Sequence, residues 1–195
     1  MKKILATTIA LCSMACLSTQ AAETYTLDPT HTYVAWQINH LGFSDQVGKW
    51  YAEGTLVLDD AKPQNSHVDA TIHIAQLVTG LPDLNEHLTG ANFFDAAKYP
   101  IATFKSDKVV LEGKESAKVY GVLTLHGVSK PVILNVKLNK TGLNPFTNKK
   151  TVGFGATTTI KRSDFDMNTL LPALGDEVKI MIQGEANIVD QPKNG

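Results

Sequence analysis

Cysteine is nearly missing from this sequence, with two residues among 195, Cys12 and Cys16. Both fall within the first 21 residues, so a chain processed there would have no disulfide, no thiolate ligand and no cysteine nucleophile. An excess of positive charge is also missing: 18 Lys and Arg stand against 19 Asp and Glu, with no basic block. That balance excludes the electrostatic footprint of a nucleic-acid-binding protein. Long apolar runs are confined to Ile4–Leu17, too short for a stable membrane span. Motifs of enzyme chemistry are lacking as well. There is no Gly-x-Ser-x-Gly elbow, no Gly-rich phosphate loop, no dinucleotide fingerprint and no His-x-x-x-His pair. His67 and His73 share a strand face but lie six residues apart, roughly 20 Å at ~3.3 Å per residue, too far for one metal. The chain is read as no enzyme, with no metal and no cofactor beyond a bound lipid ligand.

What the first residues do contain is a leader. Lys2 and Lys3 precede the apolar stretch, and Thr19-Gln20-Ala21 supplies small residues for cleavage. The expectation is a signal peptide over 1–21, export to the periplasm, a domain over 22–190 and a frayed tail over 191–195. A lipid-modified Cys16 is the weaker reading, since Ser13 stands where a Leu is wanted.

The rest of the chain alternates with period two. Val34, Trp36, Ile38 and His40 alternate with Tyr33, Ala35, Gln37 and Asn39. Segments 67–74, 132–139 and 178–185 repeat the pattern, and further strands are expected near 48–58, 100–111, 117–126 and 149–160. One interruption is helical: Pro82 suits a first turn, Leu84 and Leu88 share a face, and Gly90 can end it. A second short turn is expected over 163–168. About eight strands with one or two short helices predict an all-β fold, either a barrel or a sandwich. Ala70, Gly121, Ala156 and Gly184 fall on inward parities. Small inward residues leave volume unless large neighbours fill it, and alternation alone does not decide between the two.

Four ordered segments carry a resemblance. They are Leu27-Asp28-Pro29-Thr30-His31-Thr32-Tyr33-Val34-Ala35-Trp36 running on to Gly42, His87-Leu88-Thr89-Gly90-Ala91-Asn92-Phe93-Phe94-Asp95 running on to Ser106, Gly121–Val132, and Arg162-Ser163-Asp164-Phe165-Asp166-Met167. Together they resemble the YceI-like family of exported bacterial proteins, also called polyisoprenoid-binding or lipocalin-like. The resemblance implies an extended eight-stranded antiparallel lipocalin-like barrel around an amphipathic ligand, such as an isoprenoid chain with a polar head. Two positions depart from the family habit: Asp166, where Gly is frequent, and Asn85-Glu86, where Arg-Asp is frequent.

The candidate lipid contacts are Trp36, Ile38, Phe43, Phe93, Phe94, Phe104, Leu123, Leu125, Phe154, Phe165 and Met167, each of which could equally be plain core. Neighbouring Phe93 and Phe94 cannot both face one side, so one is expected at the barrel mouth. His40, Asn92 and Arg162 are the candidates for holding a polar head, with an ion pair to Asp164 or Asp166 as the alternative for Arg162. His31 is expected to tie its strand start to a neighbouring loop. The reading is a periplasmic carrier of a long-chain lipid, a quinone or polyprenyl compound, with room for transient contact with a membrane or membrane protein and for a homodimer. The competing reading is a structural or stress-response module with a filled core and a protein partner.

Overall fold

The computed structural model of the protein describes residues 22–189. The expected leader over 1–21, with Cys12 and Cys16, and the expected tail over 191–195 lie outside the described residues. Nine strands are formed: β1 (Glu23–Leu27), β2 (Tyr33–His40), β3 (Ser44–Leu58), β4 (His67–His73), β5 (Ile101–Leu111), β6 (Ser116–Leu125), β7 (Val128–Leu143), β8 (Lys150–Lys161) and β9 (Leu174–Ile188). One α-helix, α1 (Pro82–Thr89), and a 3-10 turn at Arg162–Phe165 stand where the sequence expects helical turns.

All neighbouring strands are antiparallel. The order β3-β2-β9-β8-β7-β6-β5-β4 closes because β4 also pairs with β3. Closure answers the choice that alternation left open: the fold is an eight-stranded lipocalin-like barrel. The ninth strand is not an extra stave. β1 pairs with β3 at 55–58 and with β9 at 186–188, while β2 pairs with the same two strands further along. Both occupy one slot, interrupted by Asp28–Thr32. β1 is not legible in the sequence, because five residues are too short to show a period.

The interruption has a local cause. Pro29 has no N–H to give a ladder. The Asp28 carboxylate accepts from the Thr30 N–H (2.9 Å) and hydroxyl (2.7 Å), and meets His31 Nδ1 at 2.9 Å. Buried Thr32 then restores the ladder with its side chain, donating to the Glu185 carbonyl and accepting from the Glu185 N–H. His31 therefore bonds within its own loop rather than to a neighbouring one. Burial acts to raise the Asp28 pKa, but the bonds from Thr30 and His31 outweigh it and bring it from 3.8 to about 2. A depressed carboxylate contributes stability above its unfolded pKa and loses it as pH falls through the folded value. Asp28→Ala should cost about 1–2 kcal/mol at neutral pH, less than the full linkage value because the carboxylate is partly wet. Urea titrations should show that difference shrinking to nothing as pH is lowered from about 4 to about 2.

The inward parities are those the alternation indicates. Val34, Trp36, Ile38, Ala70, Ile72, Leu134, Val136, Ile180 and Ile182 all face the lumen. Two of the small residues do not leave empty space. A Cβ on Gly121 would stand 2.6 Å from the Phe104 ring and 2.5 Å from the Lys105 carbonyl oxygen. A Cβ on Gly184 would stand 2.6 Å from the Phe154 ring, with only ring atoms near it. The outer edge of each ring stands over a glycine of the neighbouring strand, an arrangement known to rescue glycine in sheets. The two sites predict different results. Gly121→Ala meets backbone and should destabilise by about 1–3 kcal/mol. Gly184→Ala can tip the Phe154 ring into the lumen, so its melting temperature should move little while the lumen narrows.

Candidate functional site

The barrel encloses a cavity of about 640 Å³ that runs along its length. That volume lies within the range of sites for one small or extended ligand. The wall is almost entirely aliphatic and aromatic side chains.

One end is closed. The segment between β4 and β5, which contains α1, folds across it, and so does the segment between β8 and β9. Lys49 and Val78 exchange two backbone hydrogen bonds of 2.9 Å, which pin the first segment to β3. Trp50 Nε1 donates to the Ile74 carbonyl at 3.0 Å, and the Phe94 ring meets Trp50 edge-on with centroids 4.9 Å apart. Leu88, on the inner face of α1, and Phe93 and Phe94 just after it complete this floor. At Asn85 the side chain accepts from the Thr79 N–H and hydroxyl, a bond that anchors the helix start where the family's Arg would stand.

The second segment is held by Arg162, which is 95 % buried. Its Nε donates to the Gly175 carbonyl, Nη1 to those of Met167 and Thr169, and Nη2 to that of Leu174. Four of its five N–H groups are thus engaged by main chain. Burial pushes its pKa down, with Asp176 opposing the shift. Neither Asp164 nor Asp166 pairs with it, which corrects the ion-pair alternative: the guanidinium points inward, whereas both carboxylates are exposed. Asp166 adopts φ 59°, a left-handed conformation in which Gly has no Cβ penalty and Asp is tolerated. That accounts for Gly at this place in the family. The two segments are joined where the Thr169 hydroxyl donates to the Asn92 carbonyl. The second is also tied to the β6–β7 turn, where His126 Nδ1 meets the Phe165 carbonyl at 3.1 Å.

The opposite end is open. Here the lining passes from Leu58, Leu111 and Leu138 to the exposed Asp60, His67, Lys114 and Glu115. The mouth and its polar groups are therefore at the far end from Arg162. His40, Asn92 and Arg162 do share one end, as expected, but it is the closed one.

Of the sequence candidates, Trp36, Ile38, Phe93, Phe94, Phe104, Leu123, Leu125, Phe154, Arg162 and Met167 line the cavity. Four lie elsewhere. Phe43 is 90 % exposed at the β2–β3 turn, and His40 is exposed beside it, because β2 runs past the floor. Asn92 faces a shallow outer cleft with Asp83, Glu86 and His87. Phe165 is buried behind the lumen wall. Phe93 and Phe94 reach the closed end rather than a mouth. Trp50, Ile72 and Ile180 also line the lumen, and Trp50 was not singled out from sequence. Extending the period-two reading through Gly48, Trp50 and Ala52 would have found it.

A family described as YceI-like domain matches residues 25–186. Protein YceI of Salmonella arizonae is 37% identical over 187 residues, covering 94% of this chain and 96% of that protein. A UPF0312 protein of Pseudomonas putida is 38% identical over 136 residues, covering 69% of this chain and 70% of that protein. Among solved structures, Burkholderia cenocepacia BcnA superposes with a TM-score of 0.73 at 26% identity, over 82% of this chain and 98% of that one. A polyisoprenoid binding domain from Saccharophagus degradans shares the fold with a TM-score of 0.63 at 17% identity, over 85% and 98% of the two chains. By the span of the match and the identity to its members, the chain belongs to the YceI-like family.

Proposed function

We propose that the protein is a binding and carrier protein for one long-chain amphipathic lipid, an isoprenoid such as a quinone or polyprenyl compound, acting in the periplasm. The observation that supports this reading is the apolar cavity, floored by aromatic residues at one end and reaching charged groups at the other. A filled-core module would have those inward side chains in mutual contact instead. Burial of about ten methylene equivalents at ~0.8 kcal/mol each gives about 8 kcal/mol gross, the scale of micromolar affinity before binding costs. The apolar chain lies along the lumen and the polar head stays at the mouth, near His67 and Lys114. The name of the Saccharophagus degradans domain agrees with such a ligand, though that likeness carries the fold alone. The Ser106 hydroxyl in the lumen accepts from the Val68 N–H and so serves the β4–β5 backbone.

Native mass spectrometry of protein purified from its own host, followed by lipid extraction, tests the reading. A single bound long-chain species at one-to-one stoichiometry is expected. A lipid-free protein that also fails to take up a quinone or polyprenyl phosphate in titration would refute it.

A further inference from the structure

We infer that the open end of the barrel docks on an anionic phospholipid bilayer, with the β7–β8 hairpin as its anchor. This rests on the carrier reading for its purpose but on separate observations for its evidence.

β6 ends its ladder with β7 at Ser116↔Lys137, whereas β7 continues to Leu143. The last residues of β7 are thus laddered to β8 alone, and the hairpin runs on past its β6 neighbour at the mouth. A shift in register between Leu138 and Lys140 keeps the inner face apolar, so that Leu138 and Thr141 line the mouth and Leu143 follows two residues on. Leu143 is 66 % exposed, and Phe146 at the hairpin tip is 96 % exposed. Two strands along the rim, Leu111 of β5 is half-exposed and belongs to the same lining. On this side of the mouth the apolar lining therefore continues outward onto a projecting tip, while charged groups occupy the rest of the rim.

Charge selects the partner. Exposed Lys114, Lys140 and Lys149 surround this apolar strip and form no ion pair among the described residues. Two acids of this end are already neutralised, Glu112 by Lys118 and Glu23 by Lys150, which leaves Glu115 beside the hairpin, Asp107 on β5, and Asp59 and Asp60 on the β3–β4 side opposite it. The closed end also exposes apolar residues, Phe43, Leu81 and Leu170, but these sit among Asp83, Glu86, Asp164 and Asp166. An anionic surface repels that end and attracts the hairpin side of the mouth, where Lys114, Lys140 and Lys149 outnumber Glu115. A Phe and a Leu at a loop tip flanked by lysines is the side-chain combination that partitions into a headgroup interface. Docking in this pose sets the mouth against the bilayer, so a long chain can pass between membrane and lumen without crossing water.

The test is vesicle co-flotation of the chain starting at Ala22, which holds every element of the barrel, with vesicles of phosphatidylglycerol and phosphatidylcholine in equal parts. The wild type is expected to float with them, to float poorly with pure phosphatidylcholine, and to be released by high salt. Phe146→Ser with Leu143→Ser should weaken partitioning by about tenfold or more, since two apolar side chains no longer bury. Both positions are so exposed that the fold is not at stake, and Phe43→Ser should leave flotation unchanged. Absence of wild-type flotation, flotation indifferent to the double variant, or flotation abolished by Phe43→Ser would each overturn the proposal. Lipid uptake measured in solution separates the two ideas: uptake without flotation removes the docking surface and leaves the carrier reading standing.

Discussion

Arg162→Ala is expected to lower the unfolding free energy by about 3–5 kcal/mol, the largest loss of any single side chain at the closed end. The guanidinium is the common partner of four carbonyl oxygens, on Met167, Thr169, Leu174 and Gly175. Alanine leaves all four without a donor, at about 1–3 kcal/mol for each that stays dry, and water entering the vacated space recovers part of the cost. Lysine restores charge but not the planar fork, so Arg162→Lys should recover less than half of the loss. Urea denaturation measures the total. Hydrogen exchange locates it, with protection failing first at amides of residues 166–175 while β5, β6 and β7 hold. The opposite result, unchanged stability with weakened binding of an anionic-headed lipid relative to a neutral quinone, would return Arg162 to the head-group role its type suggests.

A second large effect is expected for Ala70→Phe. Ala70 lies in the middle of β4 on the lumen face, paired with Phe104 of β5 and Gly54 of β3. A phenyl ring there enters the space where the ligand chain would run. Displacing about four methylenes costs ~3 kcal/mol of binding, or about a hundredfold in affinity for a long-chain lipid. The empty protein should unfold within about 1 kcal/mol of the wild type, because Ala70 is only partly buried at the edge of the Tyr25–Val152 cluster and the ring can extend into the void. Ala156 makes the control. It is packed with Val119 and Leu134, so Ala156→Phe overpacks and should destabilise by about 1–3 kcal/mol. Paired thermal melts and lipid titrations separate the two. Equal destabilisation at both positions would mean that the interior behaves as solid core.

The parts legible in the sequence are those governed by period. Alternation places Val34, Trp36, Ile72, Leu134, Val136 and Ile180 on the lumen face, because a strand of any register must turn alternate side chains to one side. Pro82 and Gly90 mark α1 because their backbone preferences are local. What was not legible depends on residues far apart in the chain. Arg162 is a strut because a loop ten residues later wraps around it, and nothing near it in sequence says so. Phe104 and Phe154 extend over neighbouring strands because glycines there make room, a fact of register rather than composition. Which end is open depends on where α1 crosses the barrel, so the polar candidates His40, Asn92 and Arg162 were gathered at one end but assigned to the wrong rim.

The split stave ties together distant parts of the chain. β1 and β2, at the start of the described residues, fill one slot beside β9, the last strand described, with Tyr25 opposite Ile188. Until β9 arrives, β2 and β8 are both bare edges, and the β1–β9 and β2–β9 ladders that then complete the cylinder span nearly the whole described chain. Such contacts carry the largest loop-closure entropy and are made last. A growing or truncated chain is thus an open curved sheet with two hydrogen-bonding margins and an uncovered greasy face, the form most exposed to aggregation or to capture by a chaperone. The lumen comes into being only in the final step, so the ability to hold a ligand is a property of the completed chain and of no fragment.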